Sequence, residues 1–131
     1  MSYVHSDEPA APRLTTAVLW LIALNVGVSF LQLSLQENLP QLLGFSAGEW
    51  PTHPWTAVTY MFAHAGFWHL ALNMYTLWAF GPRLEHQWSS RGFTTFYLWS
   101  GLGGVLLHAL FVRDGAPLVG ASAAVFGVLY A

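Results

Sequence analysis

Leu14 to Leu35 is a run of 22 residues without one charged side chain. As a helix rising ~1.5 Å per residue it is long enough to cross the ~30 Å hydrocarbon core of a bilayer. In hydrocarbon no water satisfies the backbone N–H and C=O groups, so such a run is confined to a helix that bonds within itself. Two further apolar stretches follow, Gly66 to Leu84 and Gly92 to Val112. A fourth starts near Leu118 and stops at Ala131, with about half the residues a span needs. Charged residues make up 8% of the chain, against about a quarter in a soluble domain. The expected fold class is all-α, a polytopic membrane helix bundle of three full spans plus a truncated fourth.

The connections are equally informative. Residues 1–13 are polar and contain proline, and read as a disordered tail before a membrane domain over 14–131 that is incomplete at its C-terminus. Ser34-Leu35-Gln36 makes a poor cleavage site, so the first span is expected to be retained. Gln36 to Ala65 holds Pro40, Gly44, Gly48, Pro51 and Pro54, which forbid one continuous helix. It also holds Leu42, Phe45, Trp50, Trp55, Tyr60 and Phe62, more apolar area than a solvated loop needs. This predicts a large first loop lying in the headgroup region, which Trp prefers. Gly81-Pro82 should kink or close the second span, leaving Glu85 to Arg91 as a short polar link with Arg83 and Glu85 in the headgroup zone.

Arg13, Arg83 and Arg91 fall on one side of such a bundle and Arg113 on the other, so the positive-inside rule places the N-terminus in the cytoplasm of a multi-pass plasma-membrane protein. Four arginines and no lysine are too few for a nucleic-acid surface. The absence of cysteine removes disulfides, thiolate catalysis and Cys-ligated zinc. No metal site is expected.

Polar groups inside spans are costly and point to function. His69 and Asn73 stand four apart on one face of the second helix, with His64 near its start. Ser122 lies in Gly120-Ala121-Ser122-Ala123, roughly a turn below the start of the fourth span. Both spans run inward from the outer side, so Ser122, His69 and Asn73 reach a common depth. A hydroxyl, imidazoles and a carboxamide at one depth suit acyl transfer, in which preorganised donors stabilise an oxyanion by about 3–4 kcal/mol each. Gly120 and Ala121 leave the backbone before Ser122 uncrowded. Ala123, Gly127 and Ala131 form a small-residue stripe for close helix packing, and Gly101, Gly103 and Gly104 do the same in the third span. The lack of lysine excludes a Ser-Lys dyad, and Gly120-Ala121-Ser122-Ala123-Ala124 is not the Gly-x-Ser-x-Gly elbow. Asp7 and Asp114, the only aspartates, are not placed to orient a buried histidine, so the base should be a histidine alone.

Taken together these residues resemble the rhomboid family of intramembrane serine proteases. His64-(four)-His69-(three)-Asn73 matches that family's second transmembrane helix, and Gly120-Ala121-Ser122 its Gly-x-Ser motif. Trp55, Gly81 and Glu85 also fit, and the resemblance covers residues 14–131. It implies Ser122 as nucleophile, with His69, Asn73 and the Ser122 backbone N–H as oxyanion donors and His64 supporting the loop beside them. It implies cleavage of single-span transmembrane substrates within the bilayer, without a cofactor, by a Ser-His dyad. The sequence departs from the family pattern at Ala123, where many members have Gly, and at Thr56, where many have Arg after the Trp. The family's base lies on a sixth helix, beyond Ala131, so the 131 residues alone are expected to be inactive; His108, at a depth similar to Ser122, is an internal candidate to replace it.

Each residue also has a plainer reading. Serine or asparagine in a membrane helix often bonds a neighbouring helix, and His108 could bond a backbone carbonyl. Three other functions compete with proteolysis: a non-catalytic rhomboid-like protein binding transmembrane clients, a haem bundle with His69 and His108 as axial ligands, and a channel or transporter, which the lack of mid-span charge disfavours. Substrate identity and oligomeric state are not encoded legibly.

Overall fold

The computed structural model describes residues 13–35, 39–112 and 115–131. The tail expected over residues 1–13 lies, apart from Arg13, outside them. The elements in chain order are α1 (Thr16–Leu35), α2 (Leu39–Leu43), α3 (Thr56–Thr59), a 3₁₀ turn (Tyr60–Phe62), α4 (Phe67–Phe111) and α5 (Ser122–Tyr130). The all-helical expectation holds. Among the described residues α1 and α4 are long and apolar enough to cross a membrane. Their outer faces carry large apolar side chains, with Trp20 65%, Phe30 72% and Trp99 68% exposed. A water-soluble domain seldom presents such a contiguous surface, whereas a bilayer solvates it.

α4 is not one rod. Ser89 has φ 66 and ψ 162, which breaks the helix into arms 67–88 and 90–111. The Phe93 ring reaches Gly81, where an added Cβ would lie 3.4 Å from it. Twelve residues of unbroken helix would put them about 18 Å apart along the axis, so the arms fold back on each other. The helix therefore closes at Ser89 and not at Gly81-Pro82, through which the backbone stays helical. A proline costs its own N–H bond and crowds one carbonyl, and here tertiary packing offsets that loss. Gly81 is instead a contact point: an added Cβ would sit 2.7 Å from Val18 Cγ2 on α1. The polar link shrinks accordingly to the turn around Ser89.

Glu85 is buried, 5% exposed, and serves another helix. Its carboxylate accepts the backbone N–H groups of Ala17 at 2.9 Å and Val18 at 3.0 Å, and the Ser90 hydroxyl donates to it as well. The first N–H groups of a helix lack intrahelical partners. Here the cap of α1 comes from another helix, and its negative charge complements the positive end of the α1 dipole.

Three glycines set the remaining packing. Gly101 lies under the Met61 side chain, Gly104 faces Ala123 and Tyr60, and Gly127 faces Ser100. The small-residue stripe on α5 thus seats that helix against the second arm of α4. Ala123 supplies its methyl opposite Gly104, so alanine at this position is matched by a neighbour without a Cβ. The first loop divides its apolar residues. Phe45, Tyr60 and Met61 join the core with Val18, Leu77, Phe93 and Tyr97, while Leu42, Trp50 and Trp55 remain exposed. Only the latter group fits the interfacial placement expected for the whole loop.

Candidate active site

Residues 115–121 lead into α5 as an extended segment, and four tethers hold that segment. His108 Nε2 bonds the Ala116 carbonyl at 2.9 Å. Phe45 and Leu118 form an isolated antiparallel bridge, N to O 3.0 Å and 2.8 Å. The Gly120 N–H donates to the Tyr60 carbonyl at 2.8 Å, and the Ala121 N–H donates to His64 Nε2 at 3.5 Å. Tyr60 is fixed in turn by its hydroxyl donating to the Gly101 carbonyl at 2.6 Å. Three of the four anchors come from the first loop, in which the sequence singled out His64 alone, as support beside the site. Tyr60 and Phe45 are anchors that the sequence did not reveal, because backbone pairing to a segment more than 50 residues away leaves no periodic trace.

Ser122 is the first residue of α5, not a turn inside the helix as expected. Gly120, two residues before it, has φ +105, a backbone region that side chains with a Cβ rarely adopt. There is a second reason for glycine. An added Cβ would fall inside the His69 imidazole, 2.7 Å from Nε2. The His69 ring therefore lies directly against the turn that presents Ser122.

His69, Asn73 and Ser122 line one cavity of about 240 Å³, with Leu72, Thr76 and Phe126 on its apolar walls. Asn73 Nδ2 donates to the His69 carbonyl at 2.8 Å, four residues back. A carboxamide has two N–H groups, so the second remains for the cavity. His69 lies 5.2 Å from His64, ring centroid to centroid and edge-on. His64 does not line the Ser122 cavity. Its ring faces the Ala121 N–H through Nε2 and the Phe62 carbonyl through Nδ1 at 3.3 Å. That pattern assigns the proton to Nδ1. Burial, and then the neighbouring His69, push the His64 pKa down to about 4 against a smaller opposing pull from the Phe62 carbonyl. The ring is thus a neutral acceptor near pH 7.

His108, the alternative base and haem ligand, has partners other than Ser122. It bonds Ala116 and lies edge-on to Phe45 at 5.9 Å. Among the described residues no group of three or more His, Cys, Asp or Glu could hold a metal ion. Of the sequence-derived candidates, the fold brings Ser122, His69, Asn73, Gly120 and Ala121 together and sets His64 behind them.

The family model described as Rhomboid domain matches residues 51–131. "Rhomboid-like protein 11, chloroplastic" of Arabidopsis thaliana is 31% identical over 126 residues, 93% of this chain and 43% of that protein. "RHOMBOID-like protein 6, mitochondrial" of the same plant is 43% identical over 75 residues, 57% of this chain and 24% of that protein. "Rhomboid protease GluP" of Bacillus subtilis is 39% identical over 82 residues, 63% of this chain and 15% of that protein. The chain spans less than half the length of each of these relatives.

Proposed function

The chain belongs to the rhomboid family, and from that premise we propose that it acts, within a longer protein, as an intramembrane serine endopeptidase on single-span transmembrane substrates. The observation carrying this reading is the shared cavity of His69, Asn73 and Ser122 beside the turn at Gly120. Ser122 Oγ attacks the scissile carbonyl carbon and passes its proton to a histidine supplied by residues outside these 131. The oxyanion accepts hydrogen bonds from Asn73 Nδ2, the His69 imidazole and the Ser122 backbone N–H. Collapse expels the amine, which takes the proton from the base, and water then releases the acyl group from Ser122. The apolar cavity walls keep bulk water from screening these donors. No cofactor enters the scheme.

In this reading α1 and the two arms of α4 are three crossings, and α5 begins a fourth. In the same reading the arginines set the N-terminus on the cytoplasmic side, and the membrane is taken to be the plasma membrane. The full-length protein, reconstituted with a single-span substrate, tests the proposal. Ser122→Ala should abolish cleavage and fluorophosphonate labelling while the fold survives, and Asn73→Ala should slow cleavage by about 10²-fold. Cleavage retained by Ser122→Ala refutes the nucleophile. A wild-type protein that binds such substrates but never labels is a non-catalytic client-binding relative.

A further inference from the structure

His64 sits in a segment that belongs to no regular element. The 3₁₀ turn ends at Phe62, Ala63 is extended at φ −85 and ψ 136, and α4 starts only at Phe67. Backbone groups that are partly buried here must find partners or pay for desolvation. Among the described residues, the backbone N–H and C=O of His64 are both met by one side chain, Gln32 on α1. The His64 N–H donates to Gln32 Oε1 at 3.1 Å, and Gln32 Nε2 donates to the His64 carbonyl at 3.3 Å. The carboxamide imitates a neighbouring strand, making the reciprocal pair that a β-bridge would make. Beside it lies a cavity of about 290 Å³ lined by Ser29, Gln32, His64 and Phe67. Without the clamp the loop has room to move into it.

We propose that Gln32 is a positioning residue for the nucleophile, acting on Ser122 through the chain Gln32, His64 backbone, His64 Nε2 and Ala121 N–H. Its effect on catalysis rests on the protease reading, but the positioning itself does not. The imidazole bonds the Ala121 N–H at 3.5 Å, the outer limit of a hydrogen bond. A small drift of the loop breaks that bond and frees the residue preceding the nucleophile. Gln32 stands one turn from the end of α1, with Ser29 beside it on the cavity wall, and a partly buried carboxamide left unpaired there is costly. The pairing therefore fixes the loop and the helix end together. Packing alone would be served as well by methionine, which fills a similar volume with no hydrogen bond to give.

The test uses the full-length protein in a bilayer, with Gln32→Met and Gln32→Glu. Two quantities are read: exchange of the Ala121 amide hydrogen, referenced to core amides of α4, and the rate of Ser122 acylation by a fluorophosphonate. Gln32→Met should speed Ala121 exchange by about tenfold and slow acylation by a similar factor, the effect of losing one net hydrogen bond. Gln32→Glu keeps the fold under a condition that can be switched. Protonated, it accepts from the His64 N–H and donates to the His64 carbonyl as glutamine does; ionised, it turns a second acceptor toward that carbonyl. Its acylation rate relative to wild type should thus fall by about tenfold between about pH 5.5 and pH 8.5. Wild-type exchange and acylation in Gln32→Met, or a flat ratio in Gln32→Glu, overturns the proposal. If wild type itself never labels at Ser122, the protease reading fails, and the Ala121 exchange alone decides the clamp: faster exchange in Gln32→Met upholds it and unchanged exchange rejects it.

Discussion

Removing the Glu85 carboxylate should loosen the bundle at a point remote from the cavity. The carboxylate accepts two backbone N–H bonds from the start of α1 and one hydroxyl bond from Ser90. Bonds to a charged acceptor are worth about 1.5–3 kcal/mol each, but the flanking residues Arg13 and Thr16 are exposed, so water can reach the freed N–H groups in part. A loss of about 3 kcal/mol is expected for Glu85→Ala. Glu85→Gln keeps one acceptor oxygen and turns an N–H₂ toward the second donor, so about 1–2 kcal/mol is expected. Ala17→Pro removes one of the two donors without breaking an intrahelical bond, because the first N–H groups have none. In that background Glu85→Gln should cost about 1 kcal/mol less than alone, a coupling read by a double-mutant cycle. Unfolding midpoints in mixed micelles of increasing sodium dodecyl sulfate content measure all four variants. Equal midpoints for wild type and Glu85→Ala, or zero coupling in the cycle, would refute the interhelical cap.

Three further outcomes follow from the same structure. Gly81→Leu should destabilise by about 1–3 kcal/mol in the same unfolding assay, because even a Cβ at this position meets Val18 Cγ2 at 2.7 Å; an unchanged midpoint would mean that α1 and α4 are not in close contact there. Gly120→Ala should reduce Ser122 acylation in the full-length protein by at least about tenfold, since its Cβ would displace the His69 ring and its φ of +105 is unfavourable for alanine; wild-type acylation would reject the turn geometry. His64 contributes through pH. Its folded pKa, about 4, lies below the ordinary value of 6.5, so the unfolded chain binds the proton more readily. The contribution is complete above about pH 6.5 and disappears as the pH falls through about 4, amounting to at most ~3 kcal/mol. His64→Gln should flatten the stability profile in that window, and an unchanged slope would place the titration elsewhere.

The helical class was legible because hydrocarbon leaves an uncharged run like Leu14 to Leu35 no alternative, and the match of α1 to Thr16–Leu35 reflects that constraint. His69, Asn73 and Ser122 could be grouped from spacing and depth alone, since helix rise converts sequence separation into height. The small residues Gly101, Gly104, Ala123 and Gly127 could likewise be read as sites of close approach, though not which helix each one meets.

What the sequence determined by itself, then, was what local physics dictates: helical segments, their apolar faces and the depth of each polar group. Only the tertiary structure decided the rest. The cap that Glu85 provides was not legible, because nothing in its neighbourhood announces the α1 N-terminus, 68 positions away, whose N–H groups donate to it. Gly81-Pro82 looked like a helix end because propensity weighs the lost bond but not the contact with Val18. Gln32 and Tyr60 carried no signal, because each acts on backbone groups of a distant segment, and a backbone N–H or C=O is the same whatever residue bears it.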